Sequence, residues 1–138
     1  MATKNRKYYP STAQLIDRLC IVTLKSIKIS ENKKAYEDEA NEIMHDLDLL
    51  LGKNQGKLIR AVIINSIVNE TIWSNESQAR QGCETQGKRL LFTHSLNSVR
   101  TASMNAISSL TKGRKDLKLD YISPELTKEF GYNFDRVL

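Results

Sequence analysis

Cysteine is scarce. Only Cys20 and Cys83 are present, the first in the most apolar stretch and the second in a glycine-containing linker. That placement favours free thiols and a reducing compartment over a disulfide. No apolar run reaches the roughly 18 residues of a membrane span, so no membrane partner is expected. Met1 to Pro10 is basic and polar and lacks the apolar stretch of a secretory signal, so a cytoplasmic location is expected. His45 and His94 are the only histidines, and no Cys/His spacing resembles zinc ligation. There is no Gly-x-Ser-x-Gly, no Ser/His/Asp pattern and no glycine-rich phosphate loop; Gly52 and Gly56 flank a turn. No catalytic residue, metal or cofactor is assigned, and the chain is not expected to be an enzyme.

What is present is charge, unevenly placed. The chain carries 21 Lys and Arg against 16 Asp and Glu, a net charge of +5. Glu37, Asp38, Glu39, Glu42, Asp46 and Asp48 fall in one stretch that has no Lys or Arg. The remainder is strongly basic. An acidic solvated face that neutralises its neighbours is one reading; a basic surface or pocket for an anionic partner is the other.

The length suits one domain with one core. Apolar spacing predicts four main helices. The first follows Pro10, with Ser11 and Gln14 in capping-box register, and runs to Ile27 or Ile29. Within it, Leu15-Ile16-Asp17-Arg18-Leu19-Cys20-Ile21-Val22-Thr23-Leu24-Lys25-Ser26-Ile27 has the apolar density of a buried helix with charges embedded. Buried charge needs a partner or a ligand. The second helix starts near Ser30 or Glu31, carries Tyr36, Ala40, Ile43, Leu47 and Leu50 or Leu51 at helical spacing, and stops at Gly52. After the turn Lys53-Asn54-Gln55-Gly56, the third covers Lys57 to Arg80. It is rich in β-branched residues but too long, and without the alternation, for a strand. A polar linker between Gly82 and Gly87 leads to the fourth, Lys88 to Lys112. Its small residues Ser95, Ser98, Ala102, Ser103 and Ala106 point to a tight helix crossing.

The expected architecture is therefore all-α: a four-helix bundle over residues 11–113, made of two hairpins that weakly resemble one another, preceded by a basic segment, 1–10. Ile21-Val22-Thr23 and Ile67-Val68-Asn69 carry the hint of a pseudo-repeat. Residues 114–138 form a C-terminal arm with a short helix begun by Ser123-Pro124. Tyr121, Phe130, Tyr132, Phe134 and Leu138 make that arm apolar enough to dock, preferably on another subunit of a homo-oligomer.

Three stretches resemble an all-helical family of bacteria and tailed phages. Leu15-Ile16-Asp17-Arg18-Leu19-Cys20-Ile21-Val22-Thr23-Leu24-Lys25-Ser26 looks like its Leu-Ile-Asp-Arg-Leu-Ser-Ile-Val-Asn-Leu-Lys-Ile pattern, with Cys20 and Thr23 in place of Ser and Asn. Ile72-Trp73-Ser74-Asn75-Glu76-Ser77-Gln78-Ala79-Arg80 and Leu96-Asn97-Ser98-Val99-Arg100 look like two further patterns. The resemblance implies a helical fold and a phage accessory protein. It implies no activity and no catalytic residue.

Candidate binding residues each have a plain structural alternative. Arg18 and Lys25, seven apart, share a face of the first helix. They either face an anionic ligand or, for Arg18, pair with an acid of the second helix. Trp73, Glu76 or Ser77, and Arg80 share a face of the third helix, and Asn69 is a further candidate on that helix. They offer a stacking surface for a base, or else a core tryptophan beside a surface Glu76–Arg80 pair. His94, Asn97 and Arg100 line one side of the fourth helix and suit either a nucleotide or a solvated polar stripe. Glu39-x-x-Glu42 with Asp46 resembles half of the magnesium site of all-helical nucleotide pyrophosphohydrolases. The third helix supplies Asn65, Asn69 and Glu70 but no facing Glu-x-x-Asp, so that enzyme reading is disfavoured.

The leading expectation is non-enzymatic binding or sequestration of a small anionic, nucleotide-derived ligand, which in a phage would remove a host defence signal. One alternative is nucleic-acid binding through Lys4, Arg6, Lys7 and the run from Arg114 to Lys118. Another is inhibition of a host enzyme through the acidic helix and the aromatic arm.

Overall fold

The computed structural model describes residues 9–81 and 86–111. They form four helices and, among the described residues, no strand: α1 (Thr12–Lys28), α2 (Lys33–Leu51), α3 (Gln55–Arg80) and α4 (Gln86–Thr111). The fold is all-α, as the periodicity predicts. The short helix expected near Ser123, the apolar arm and Cys83 lie outside the described residues.

Local chemistry accounts for the boundaries. Ser11 Oγ accepts from the Gln14 amide at 3.1 Å while Gln14 Oε1 accepts from the Ser11 amide at 2.8 Å, the reciprocal capping box. α2 follows Asn32, whose φ of 63° is the left-handed conformation that asparagine tolerates. It ends at Gly52, where φ is +117°. α3 starts two residues earlier than expected, which places Gly56 inside the helix. The reason is packing. A Cβ at Gly56 would lie 2.4 Å from the Met44 carbonyl oxygen, so only glycine lets α3 approach α2 this closely. Asp48 Oδ1 also accepts from the Gly56 amide at 2.7 Å, satisfying a donor that the helix start leaves open. α4 likewise begins before Gly87, at Gln86.

Two hairpins pack through two apolar clusters. Leu15, Leu19 and Val22 of α1 meet Ala40, Ile43 and Leu47 of α2, with Ile59 and Ile63 of α3 against them. Ile64, Val68 and Ile72 of α3 meet Phe92, Leu96 and Val99 of α4, and Ile27 of α1 joins this second cluster. The α3–α4 seam also carries polar pairs. Asn65 Nδ2 donates to Ser103 Oγ at 3.0 Å, and Asn75 Nδ2 donates to Thr93 Oγ1. One bond lies early and the other late along each helix, so α3 and α4 run antiparallel. Ser95, Ser98 and Ser103 are buried at this seam, in keeping with the expected tight crossing, whereas Ala106 is exposed.

The charges embedded in α1 do not enter the core. Asp17 and Arg18 are exposed and Lys25 is half-buried. At about 100° per residue they fall opposite or beside the Leu15, Leu19 and Val22 face. The helix seemed wholly apolar because its outer side holds Ile21 and Leu24, both exposed. The polar groups it does bury are Thr23 and Ser26. Cys20, expected in the core, is half-buried.

Gly56→Ala tests the crossing. The added methyl meets backbone, which a rotamer change cannot relieve. A loss of about 1–3 kcal/mol is expected in urea unfolding. A loss within a few tenths of a kcal/mol would contradict the close approach.

Candidate functional site

Arg60 is the most anomalous polar side chain among the described residues. It lies one turn beyond Gly56, hence on the same face of α3. The close α2–α3 crossing therefore presses it toward α2. Its Nε and Nη2 are buried and have no hydrogen-bond partner. These two atoms form the side-on edge of the guanidinium, the fork that holds a carboxylate or phosphate with two parallel bonds. Burial lowers its pKa from the ordinary arginine value, and the negative charge of Glu37 on α2 opposes that shift. Glu37 is itself half-buried, with Lys33 Nζ 3.9 Å from its Oε1.

Two hydroxyls share this condition. Thr23 Oγ1 and Ser98 Oγ are buried without a partner. Other hydroxyls in these helices bond back to a carbonyl of the preceding turn: Ser26 to Thr23 at 2.7 Å, Thr71 to Ile67 and Ser103 to Arg100 at 2.8 Å. Of Arg60 and these two hydroxyls, only Arg60 carries a charge. Its two nitrogens lose water without gaining an acceptor, which costs more for a charged group than the roughly 1–3 kcal/mol of a hydroxyl, while Glu37 offsets part of the charge.

The residues singled out from sequence lie elsewhere. Arg18 spends its fork on Glu39 of α2, with Nε and Nη2 each 2.6 Å from Oε1. This pair links the two helices in register. It also occupies the first carboxylate of the Glu39-x-x-Glu42 pattern. Asn69 is exposed, and its Nδ2 donates to the Asn65 carbonyl oxygen at 2.9 Å and to Asn65 Oδ1 at 3.0 Å. Trp73 is 67% exposed, which overturns the core-tryptophan alternative. Its neighbours Ile72 and Asn75 take the inward positions. Arg80, His94, Asn97 and Arg100 are exposed.

The antiparallel register set by Asn65–Ser103 and Asn75–Thr93 brings Asn69 and Trp73 to the same level of the bundle as His94, Asn97 and Arg100. Lys25, two residues before Ile27, belongs near this level because Ile27 packs with Val68 and Ile72. These residues share a level but point outward from their own helices. Arg18 and Arg80 lie off that level, toward opposite ends.

Arg60 also carries a signal in the sequence. It opens the apolar segment Arg60-Ala61-Val62-Ile63-Ile64, and neither i±3 nor i±4 is acidic. A base with no helical counter-charge beside a run of core residues must find its partner on another element. Among the described residues, no group of three or more His, Cys, Asp or Glu is arranged to hold a metal ion. No described helix is long and apolar enough to cross a membrane. Comparison with protein-family models, with curated proteins and with solved structures gives no match.

Two measurements check this arrangement. Trp73 is the sole tryptophan, so its emission reports one site. The folded protein is expected to show a solvated emission maximum, quenched efficiently by acrylamide and little changed on unfolding. A protected, blue-shifted emission would mean that Trp73 is covered. A double-mutant cycle on Arg18→Ala and Glu39→Ala is expected to give a coupling of about 0.2–1 kcal/mol, because both side chains are partly solvated. A coupling of several kcal/mol would show a desolvated pair.

Proposed function

We propose that this protein binds a small anionic ligand without transforming it, and that Arg60 provides the main contact. The observation that carries the reading is the buried guanidinium fork with no acceptor on either nitrogen. A dianionic phosphate or a carboxylate supplies the acceptor and the charge together. Glu37 competes for the same cation, so ligand entry displaces its influence and separates α2 from α3 locally. The cost of the unliganded state then becomes part of the binding free energy.

The finer form of the proposal is a nucleotide-derived ligand. It draws on the exposed ring of Trp73 and on the amide, imidazole and guanidinium groups of Asn69, His94, Asn97 and Arg100 at one level of the bundle. Arg60 and Trp73 lie 13 residues apart on α3, about 20 Å along its axis. One mononucleotide does not bridge them, so the fork and the stacking surface act on an extended ligand or as separate sites. A sequestering role in a phage setting follows from this finer form alone.

Thermal unfolding with inorganic phosphate, pyrophosphate and linear and cyclic nucleotides tests the reading. A ligand at 100 times its Kd adds about 2.7 kcal/mol of stability. Arg60→Met is expected to stabilise the unliganded protein by about 1 kcal/mol, since it removes two desolvated donors that have no acceptor, and to abolish the ligand-induced shift. If no member of the panel raises the melting temperature or evolves heat at millimolar concentration, the proposal fails. It fails equally if Arg60→Met destabilises the free protein by several kcal/mol, which would make Arg60 the structural partner of Glu37.

A further inference from the structure

The charges around the Arg60 fork can be counted. On α2, Lys33, Glu37 and Met44 are spaced by four and seven residues and so share a face. Met44 meets Gly56, which sets that face against α3. The hairpin turns at residues 52–54, so α2 and α3 run antiparallel. Away from the Met44–Gly56 contact, Arg60 comes about 6 Å along α3 and Glu37 about 10 Å along α2, an offset that an arginine side chain spans. Asp48, also on this face of α2, is engaged by the Gly56 amide. The flanking charges close on themselves, Lys34 with Asp38 and Arg18 with Glu39. Lys57, three residues before Arg60, is exposed.

Two neighbouring ion pairs of α2 allow a comparison. Lys34 Nζ donates to Asp38 Oδ2 at 3.2 Å, whereas Lys33 Nζ stays 3.9 Å from Glu37 Oε1 although glutamate has the longer side chain. A carboxylate drawn toward a second cation accounts for the looser pair, and the negative charge of Glu37 acts on Arg60. Glu37 is thus shared between two bases, and the cluster Lys33, Glu37 and Arg60 carries one net positive charge.

We propose that the Arg60 site selects a singly charged oxyanion, a carboxylate or a phosphate diester, over a doubly charged phosphate monoester, and that Glu37 is the selecting residue. The selection presupposes that Arg60 contacts the ligand. A carboxylate or a diester offers the fork two oxygens and one negative charge, which neutralises the cluster. A monoester leaves one negative charge in excess beside the half-buried Glu37, in a seam where water screens it poorly. With the fork occupied by the oxyanion, Glu37 falls back on Lys33 as an ordinary pair within α2.

Calorimetric titration with benzoate, methyl phenyl phosphate and phenyl phosphate compares the three headgroups on one ring, at a pH of about 8 where the monoester is doubly charged. Benzoate, the diester or both are expected to bind about tenfold or more tightly than the monoester, and the better of the two names the source of the single charge. Glu37→Gln raises the charge of the cluster and is expected to strengthen monoester binding by about tenfold, reversing the order. Lys33→Met, at an exposed position, is expected to weaken all three and keep the order. Circular dichroism checks that each variant keeps its helicity. Tighter monoester binding by the unaltered protein, lost in Arg60→Met, overturns the selection and leaves Arg60 as the contact. An order unchanged by Glu37→Gln overturns it as well. Binding that survives Arg60→Met, or no binding of any of the three at millimolar concentration, overturns the selection and the Arg60 contact together.

Discussion

The close approach of α3 to α2 at Gly56 is the constraint on which the rest of the structure depends. Without a side chain at that position the two helices meet backbone to backbone at Met44. This contact joins the hairpins and sets the lateral position of everything one turn further along. Ile59 and Ile63 reach the α1–α2 cluster because of it. Arg60 is carried along the same face and loses water that a wider crossing would leave to it. The candidate site is thus a by-product of packing geometry as much as of residue identity.

The hairpins achieve their packing by different chemistry. α1 and α2 meet over aliphatic side chains, with Arg18–Glu39 at the rim. α3 and α4 interleave aliphatic residues with Asn65–Ser103 and Asn75–Thr93. Aliphatic contacts tolerate a slide of one helix along another better than directional bonds do. A slipped α3–α4 pair leaves amides and hydroxyls unsatisfied in a dry seam, which penalises every wrong register. The weak likeness between the hairpins in sequence therefore does not extend to how they hold together.

Helix number, order and most boundaries were legible from the amino acids, because capping boxes, glycine stops and the 3.6-residue period are local signals. Ser11–Gln14 and Gly52 behave as their types require. The start of α3 was not legible, since Gly56 reads as a turn residue until the Met44 backbone is seen next to it. The candidate site was less legible still. Apolar spacing reports which side chains face inward on average. It is silent on which polar groups lose water, because that depends on distances between helices. Asp17 and Arg18 looked buried because their neighbours are apolar, yet they project outward. Trp73 looked like core by its type, yet the period assigns the inward positions to Ile72 and Asn75. Arg60 was not among the candidate residues, because only the approach of α2 shows that its guanidinium nitrogens lose water.

Ile27 has a consequence of another kind. It belongs to α1 but packs with the residues of α3 and α4. The first hairpin thus has its far end buttoned into the core of the second. Fraying of the last turn of α1 would open a gap between Ile64, Val68 and Phe92, so local melting there is charged to both halves. Together with Ile59 and Ile63, Ile27 binds the two halves into one cooperative unit, and it does so near a helix terminus, where chains otherwise loosen first.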